Sequence, residues 1–192
     1  MRLIFKRVLA WLIDWAIIVL YATILFGVVF TLSSLGIIEP ARVHPLKGQL
    51  IGFLTLTLPV LVYCISLEAG KHHATIGKRV MKIELTATPL TRGGVIMRNV
   101  VKFVPWECAH AGVLWINYIN TSETPLWIWF LLIVPQVLVI IYFMTIVATK
   151  GNRSLYDFVA GTRVRHLADH LPIVIGCMLV LQPVGKSFIE QA

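Results

Sequence analysis

Residues 15–38 read WAIIVLYATILFGVVFTLSSLGII and contain no Asp, Glu, Lys or Arg. An α-helix rises about 1.5 Å per residue, so about 20 mainly apolar residues cross the roughly 30 Å hydrocarbon core of a bilayer. This stretch is long enough to do so. It is also longer than the apolar core of a cleaved signal peptide, which has roughly 7–15 residues. We therefore expect residues 15–38 to form most of a permanent membrane anchor.

Three further windows, 48–67, 108–122 and 124–149, also lack these charged residues. The middle one reaches spanning length only when it is extended back through Glu107 to about residue 100. We predict four spanning helices, over about 8–34, 48–67, 100–118 and 125–148. A last apolar window, 171–185, is short and has prolines near its ends. We expect it to be an interfacial or re-entrant segment within a C-terminal tail, 166–192.

The composition supports a membrane protein. Of the 192 residues, 58% are hydrophobic and 14% charged, with a mean hydropathy of +0.83. Soluble domains are roughly 45–50% apolar and about 25% charged. The low charge and the 10% aromatic content also exclude a disordered chain. The predicted fold is an all-α polytopic bundle of four spanning helices forming one domain, 1–165.

The basic residues define the predicted topology. The chain has 17 Lys and Arg against 9 Asp and Glu. All of the basic residues except Arg42 and Lys47 lie in the N-terminus, in the loop between the second and third predicted helices, or after the fourth. Short loops rich in Lys and Arg remain in the cytoplasm. We therefore expect a multi-pass protein of the cytoplasmic (inner) membrane, with both termini in the cytoplasm.

The same charge pattern bears on partners. A net charge of +8 can indicate nucleic-acid binding, but here the charge lies next to membrane spans. Anionic lipid headgroups are the expected partners, and nucleic acid is not. The expected headgroup contacts are Lys78, Arg79, Lys82, Arg163 and Arg165.

Ionisable groups at membrane depth are the first functional candidates, because they are costly to bury. Asp14 either belongs to such a site or is a hydrogen-bonded residue that fixes helix packing. Glu107 and His110, at i and i+3, share one helix face. Histidine titrates near neutral pH, so Asp14, Glu107 and His110 form a candidate proton or ion relay.

Other chemistry has little support in the sequence. Glu68, His72, Glu107 and His110 form only a weak composite metal site, and the His166–His170 spacing is an equally weak one. The three cysteines are widely spaced and suggest no disulfide frame. Phosphate-loop, G-x-S-x-G and H-E-x-x-H motifs are absent from the sequence. We expect neither an enzyme nor a resident cofactor or metal.

Several blocks resemble one family. KRVLAWLID at 6–14, ATIGKR at 74–79, the Arg98-Asn99 pair and DFVAGTRV at 157–164 are similar, in this order, to the RDD family of small polytopic membrane proteins. The resemblance covers about residues 5–165. The family's Arg and two Asp fall on Arg7, Asp14 and Asp157. The loop 86–94 departs from it by lacking the expected acidic-Gly turn.

The resemblance implies an integral membrane protein of transport type, with cation/proton antiport proposed for some members. A short interfacial helix near 152–160, with Ser154 and Asp157 at capping-box spacing, would bring Asp157 near Arg7. We therefore expect a charge cluster at the inner leaflet in which Arg7 bridges Asp14 and Asp157. This cluster either gates transport or locks the bundle.

Two functions remain open at this stage. One is proton-coupled cation transport, for which four helices offer little room unless the chain forms a homodimer. The other is a non-catalytic accessory or scaffold that assembles or regulates another membrane protein.

Overall fold

The computed structural model describes residues 2–38, 43–119 and 124–167. Most of the predicted tail, including the segment 171–185 and His170, lies outside the described residues. The elements in chain order are α1 (Arg2–Ser34), α2 (Pro45–Gly52), a π-helical turn (Phe53–Thr57), α3 (Leu58–Ala69), α4 (Ile76–Val80), β1 (Ile83–Thr86), α5 (Arg92–Ile119), α6 (Leu126–Ala148), α7 (Leu155–Val159) and β2 (Arg163–His166).

Three helical segments among the described residues are long and apolar enough to cross a membrane: α1, α6 and the continuous stretch Pro45–Ala69. The fourth predicted span lies within α5, a helix of 28 residues. Its first half carries three basic residues, and its second half begins near Glu107. By length and composition α5 therefore stands apart from the other three.

Three helices begin earlier than predicted. The N-terminal helix starts at Arg2 rather than at about residue 8, because its basic first turns continue the helix. The second segment starts at Pro45, a residue suited to a first turn, and the His44 side chain accepts a hydrogen bond from Leu46 N. The third starts at Arg92 rather than near 100, because Thr91 Oγ1 accepts from Gly94 N at 3.1 Å and caps it.

Two prolines interrupt the helical hydrogen bonding, and tyrosines from neighbouring spans compensate. Pro59 has no N–H to give to the Thr55 carbonyl four residues earlier, and the Tyr21 hydroxyl of α1 donates to that oxygen at 2.5 Å. Pro105 likewise has no N–H to donate to the Val101 carbonyl, and the Tyr142 hydroxyl of α6 donates to that oxygen at 2.8 Å. Both interruptions lie near the middle of long helical segments.

A small antiparallel sheet corrects the purely helical prediction. In this sheet β1 pairs with β2, with Ile83 opposite His166 and Thr86 opposite Arg163. The inward residues Ile83, Leu85 and Val164 pack against Ala10 of α1 and Val95 of α5. These five residues form a small hydrophobic core between the sheet and the two helices. His166 is thus on a strand, so the helical spacing assumed for a His166–His170 pair does not apply.

The lobe, as we name the part comprising α4, β1, α7 and β2, rests directly on the long helices. The short helix predicted near 152–160 is α7, which packs on α5 and α6. A Cβ at Gly77 of α4 would overlap the Ala10 carbonyl of α1. Only glycine allows α4 to approach α1 this closely. The lobe therefore packs against the neighbouring ends of α1, α5 and α6.

Candidate functional site

Arg98 of α5 lies at the centre of a buried ionic network. Its Nη1 contacts Glu68 Oε2 at 2.5 Å, and its Nε contacts Asp157 Oδ1 at 2.7 Å. The Arg98 side chain is 1% exposed, and both carboxylates are fully buried. The planar guanidinium donates along two edges, so one arginine joins α3 to α7 through α5.

Asp157 joins this network to the N-terminus. Arg7 Nη2 donates to Asp157 Oδ2 at 2.8 Å, and Arg7 Nη1 donates to the Gly151 carbonyl at 2.9 Å. Ser154 N donates to the same carboxylate at 2.9 Å, which completes the Asp157 half of the predicted capping box. Burial alone would raise the pKa of Asp157, but Arg98 and Arg7 outweigh it and hold the pKa at about 2.

Glu68 accepts hydrogen bonds at the other end of this ionic network. Besides Arg98, it accepts from Lys78 Nζ at 2.5 Å and from Asn99 Nδ2 at 2.8 Å. Lys78 was expected to contact lipid headgroups, but it is 8% exposed and turned inward to this carboxylate. Burial, reinforced by the nearby Arg98 cation, lowers the pKa of Lys78 despite its ion pair. We call Arg7, Glu68, Lys78, Arg98, Asn99 and Asp157 the inner network.

Asp14 is held separately. Its Oδ2 accepts from Thr75 Oγ1 at 2.6 Å, and its Oδ1 accepts from Gly77 N at 2.9 Å and from Tyr63 OH at 3.1 Å. Arg7 therefore reaches Asp157, as expected, but the partners of Asp14 are neutral donors of α3, α4 and the turn before α4. The predicted bridge from Arg7 to Asp14 is replaced by a carboxylate that anchors the ATIGKR block onto α1.

Glu107 lies in a second polar cluster, deeper along the helices. Its Oε1 accepts from Thr57 Oγ1 and its Oε2 from Gln49 Nε2, both at 2.5 Å. Trp106 Nε1 in turn donates to Thr57 Oγ1 at 3.2 Å. Glu107 follows Arg98 by nine residues, or about 14 Å along the helix axis. We call Gln49, Thr57, Trp106, Glu107 and His110 the Glu107 cluster.

Two polar atoms of this cluster have no partner in the described structure. His110 Nδ1 and Gln49 Oε1 are both buried and make no hydrogen bond. The His110 ring packs on Gly52, where a Cβ would overlap it. Unsatisfied buried polar atoms are uncommon in native proteins and are costly, so both atoms are available to a further hydrogen-bond partner.

The structure thus divides the sequence candidates. It brings Arg7 and Asp157 together, and it places Glu107 and His110 in one cluster. Asp14 does not join that cluster. The four residues of the composite metal site do not meet at one point, since Glu68 is in the inner network and His72 is exposed, away from Glu107 and His110. Within residues 2–38, 43–119 and 124–167, no three His, Cys, Asp or Glu side chains converge as metal ligands.

The remaining headgroup candidates lie on the lobe. Arg79, Lys82 and Arg163 are exposed, whereas Arg165 pairs with Glu84 at 3.0 Å across the sheet. Sequence reasoning gave Glu68 and Lys78 other roles, and did not include Gln49 or Thr57 in a site. The Arg98-Asn99 block was one available signal, since both residues prove to hold Glu68.

The inner network predicts that replacing Arg98 strongly lowers the stability of the protein. Arg98→Gln leaves two buried carboxylates without their shared partner, and removing one member of a buried ion pair costs about 3–5 kcal/mol. We expect unfolding in detergent to show a loss of that order. Arg92→Gln, on the exposed first turn of the same helix, is the matched control and should leave stability within about 0.5 kcal/mol. Equal effects of the two changes would contradict the network.

The lowered pKa of Asp157 predicts that the folded protein loses stability in acid. Its folded pKa of about 2 lies below its ordinary value of 3.8, so the unfolded chain takes up this proton first. The ionised Asp157 therefore contributes about 2 kcal/mol to the free energy of unfolding. This contribution is present above about pH 4 and is lost as the pH falls towards 2. Denaturant unfolding between pH 2.5 and 6 should therefore show a steeper pH dependence in the wild type than in Asp157→Asn. Identical slopes would exclude Asp157 as the source.

A known protein family matches most of the chain. The model of the RDD family matches residues 1–161, and hence most of the chain, including every block that forms the inner network. Neither the curated proteins nor the solved structures gave a match. The extent of the family match confirms the resemblance seen in the sequence, and the chain belongs to the RDD family of membrane proteins.

Proposed function

We propose that this RDD protein crosses the cytoplasmic membrane four times, with both termini in the cytoplasm, and couples proton to cation movement at the Glu107 cluster. The fourth span in this proposal is the second half of α5. It packs against α6 and α2, so its polar groups can face protein rather than lipid. Apart from Arg42 and Lys47, the basic residues would then lie on the cytoplasmic side.

The topology makes a direct prediction. Single cysteines at Arg79 and Arg163, in a background without the native cysteines, should react with an impermeant thiol reagent only from the cytoplasmic side. A single cysteine at Lys47, in the first turn of the second span, should react only from the opposite side. Labelling intact cells and inverted vesicles provides the two measurements. Labelling of positions 47 and 79 from the same side would contradict four crossings.

The observation that carries the transport proposal is the set of partners around Glu107. All described donors to its carboxylate are neutral, and no Lys or Arg nitrogen of the described residues lies within 4.0 Å. A carboxylate at membrane depth is costly unless a counter-charge or a proton neutralises it. In the inner network arginine and lysine supply that charge permanently. At Glu107 an exchangeable proton or cation has to supply it.

His110 supports the same proposal. It lies one turn after Glu107, and its unpartnered Nδ1 can accept a proton. The two side chains therefore provide neighbouring proton acceptors in one span. We assign the transport role to Glu107 and His110. Asp14, the third member of the predicted relay, has a structural role because its oxygens hold α4 and Tyr63.

Liposomes containing the purified protein and a pH-sensitive dye test this proposal. Gradients of Na⁺, K⁺ or Li⁺ should drive proton flux in the wild type, and Glu107→Gln should abolish it because the amide cannot carry the proton. Glu84→Gln is the matched control outside the membrane and should keep the flux. Silence with every cation, or full flux in Glu107→Gln, would contradict transport at this site.

One observation favours the accessory alternative. Gln136 is exposed in the middle of α6, the most apolar of the long helices, where lipid cannot satisfy its amide. A helix from a second copy or from another membrane protein would provide hydrogen bonds there. Absence of cation-driven flux together with stable co-purification of another membrane protein would support this function.

A further inference from the structure

We propose that Gln49 is a positioning residue that responds to the charge of Glu107. In this proposal its amide donates to the ionised carboxylate and, after rotation about its terminal bond, its Oε1 accepts from the protonated carboxyl. The inference rests on the proposed function, because it describes how the same cluster accommodates both forms of Glu107. It adds a residue that no sequence motif indicated.

The described geometry is that of the ionised form. Gln49 Nε2 donates to Glu107 Oε2 at 2.5 Å and lies 3.4 Å from the Glu107 backbone carbonyl. Thr57 donates to the other carboxylate oxygen. Every described contact of the carboxylate is therefore with a donor, and an ionised carboxylate only accepts hydrogen bonds.

Protonation of Glu107 on Oε2 creates a conflict with the described geometry. Thr57 Oγ1 accepts from Trp106 and donates to Glu107 Oε1, and a proton on Oε2 leaves both of these bonds in place. On Oε2 the proton meets the N–H₂ group of Gln49. Two donors facing each other repel, and the amide has to turn. Its oxygen and nitrogen exchange places because the two ends of a carboxamide are nearly equal in size.

The unpartnered Gln49 Oε1 is the second observation that supports this rotation. It is buried and makes no hydrogen bond in the described orientation, and such an unpaired oxygen is unfavourable in free energy. After rotation this oxygen accepts from the protonated carboxyl. Each form of Glu107 then has a matching orientation of one side chain. The proton comes from solvent and returns to it, so no other bond forms or breaks.

The neighbouring titratable groups do not replace Gln49 in this role. His110 is in the same cluster, and its ring packs on Gly52, one turn after Gln49. The titratable and charged groups on the elements packed against α5 are Lys47 of α2, Tyr63, Cys64 and Glu68 of α3, Tyr142 of α6, and Tyr156 and Asp157 of α7. Those on α5 itself, besides Glu107 and His110, are Arg92, Arg98, Lys102, Cys108 and Tyr118.

Infrared difference spectroscopy between low and high pH, on the full-length protein in liposomes, tests the proposal without requiring transport. Glu107→Gln identifies the band of the protonated Glu107 carboxyl by removing it. In the wild type this C=O band should have the lowered frequency of a hydrogen-bonded acid. Gln49→Met, which keeps the side-chain length but removes the amide, should shift it upward. Gln136→Met, the same change on the exposed face of α6, should leave it in place.

A second measurement covers the case in which Gln49→Met fails to fold. In wild-type protein with ¹³C-labelled glutamine, one amide C=O band should shift with pH as Gln49 turns, and Glu107→Gln should abolish that shift. An unchanged carboxyl frequency in folded Gln49→Met, or an amide shift that persists in Glu107→Gln, would overturn the role of Gln49 while leaving transport intact. Absence of any Glu107 carboxyl band would overturn both the role and the proposed transport.

Discussion

The pairing of Arg98 with both Glu68 and Asp157 is the interaction on which the rest of the fold depends. Charges removed from water are tolerated only with partners, so each residue of the alternating series from Arg7 through Asp157, Arg98 and Glu68 to Lys78 needs its neighbours. Because these residues come from α1, α3, α4, α5 and α7, the requirement for charge pairing is also a requirement for the whole tertiary arrangement. No apolar contact in a lipid environment is equally specific.

The same physical rule distinguishes the two polar clusters by their partners. In the inner network the carboxylates meet cations, and a carboxylate compensated in this way has no reason to exchange a proton at neutral pH. Among the described residues, Glu107 meets an amide and a hydroxyl, which stabilise its charge without cancelling it. The first arrangement gives rigidity, and the second leaves one charge to be balanced from outside the protein. The structural reading of the RDD motifs and the functional reading of Glu107 are therefore compatible.

The sequence could predict what depends on local pattern. Apolar windows gave the long helices, and the spacing of Ser154 and Asp157 gave α7. It could not predict that Lys78 turns inward, because a lysine beside a membrane span is usually solvated and its partner Glu68 belongs to another helix. The strands were missed because each has four residues and their pairing joins segments about 80 residues apart. Gln49 and Thr57 were missed because neither carries a charge.

The positions of Thr57 and Glu107 suggest why the site lies where it does. Thr57 is two residues before Pro59, and Glu107 is two residues after Pro105, so both flank points at which a backbone hydrogen bond is missing. Helices bend most easily at such points. To one side of these points Glu68 of α3 and Arg98 of α5 are joined by an ion pair, and at the points themselves Thr57 and Glu107 meet through a hydrogen bond. The Glu107 cluster therefore lies where two neighbouring helical segments each lack a backbone hydrogen bond.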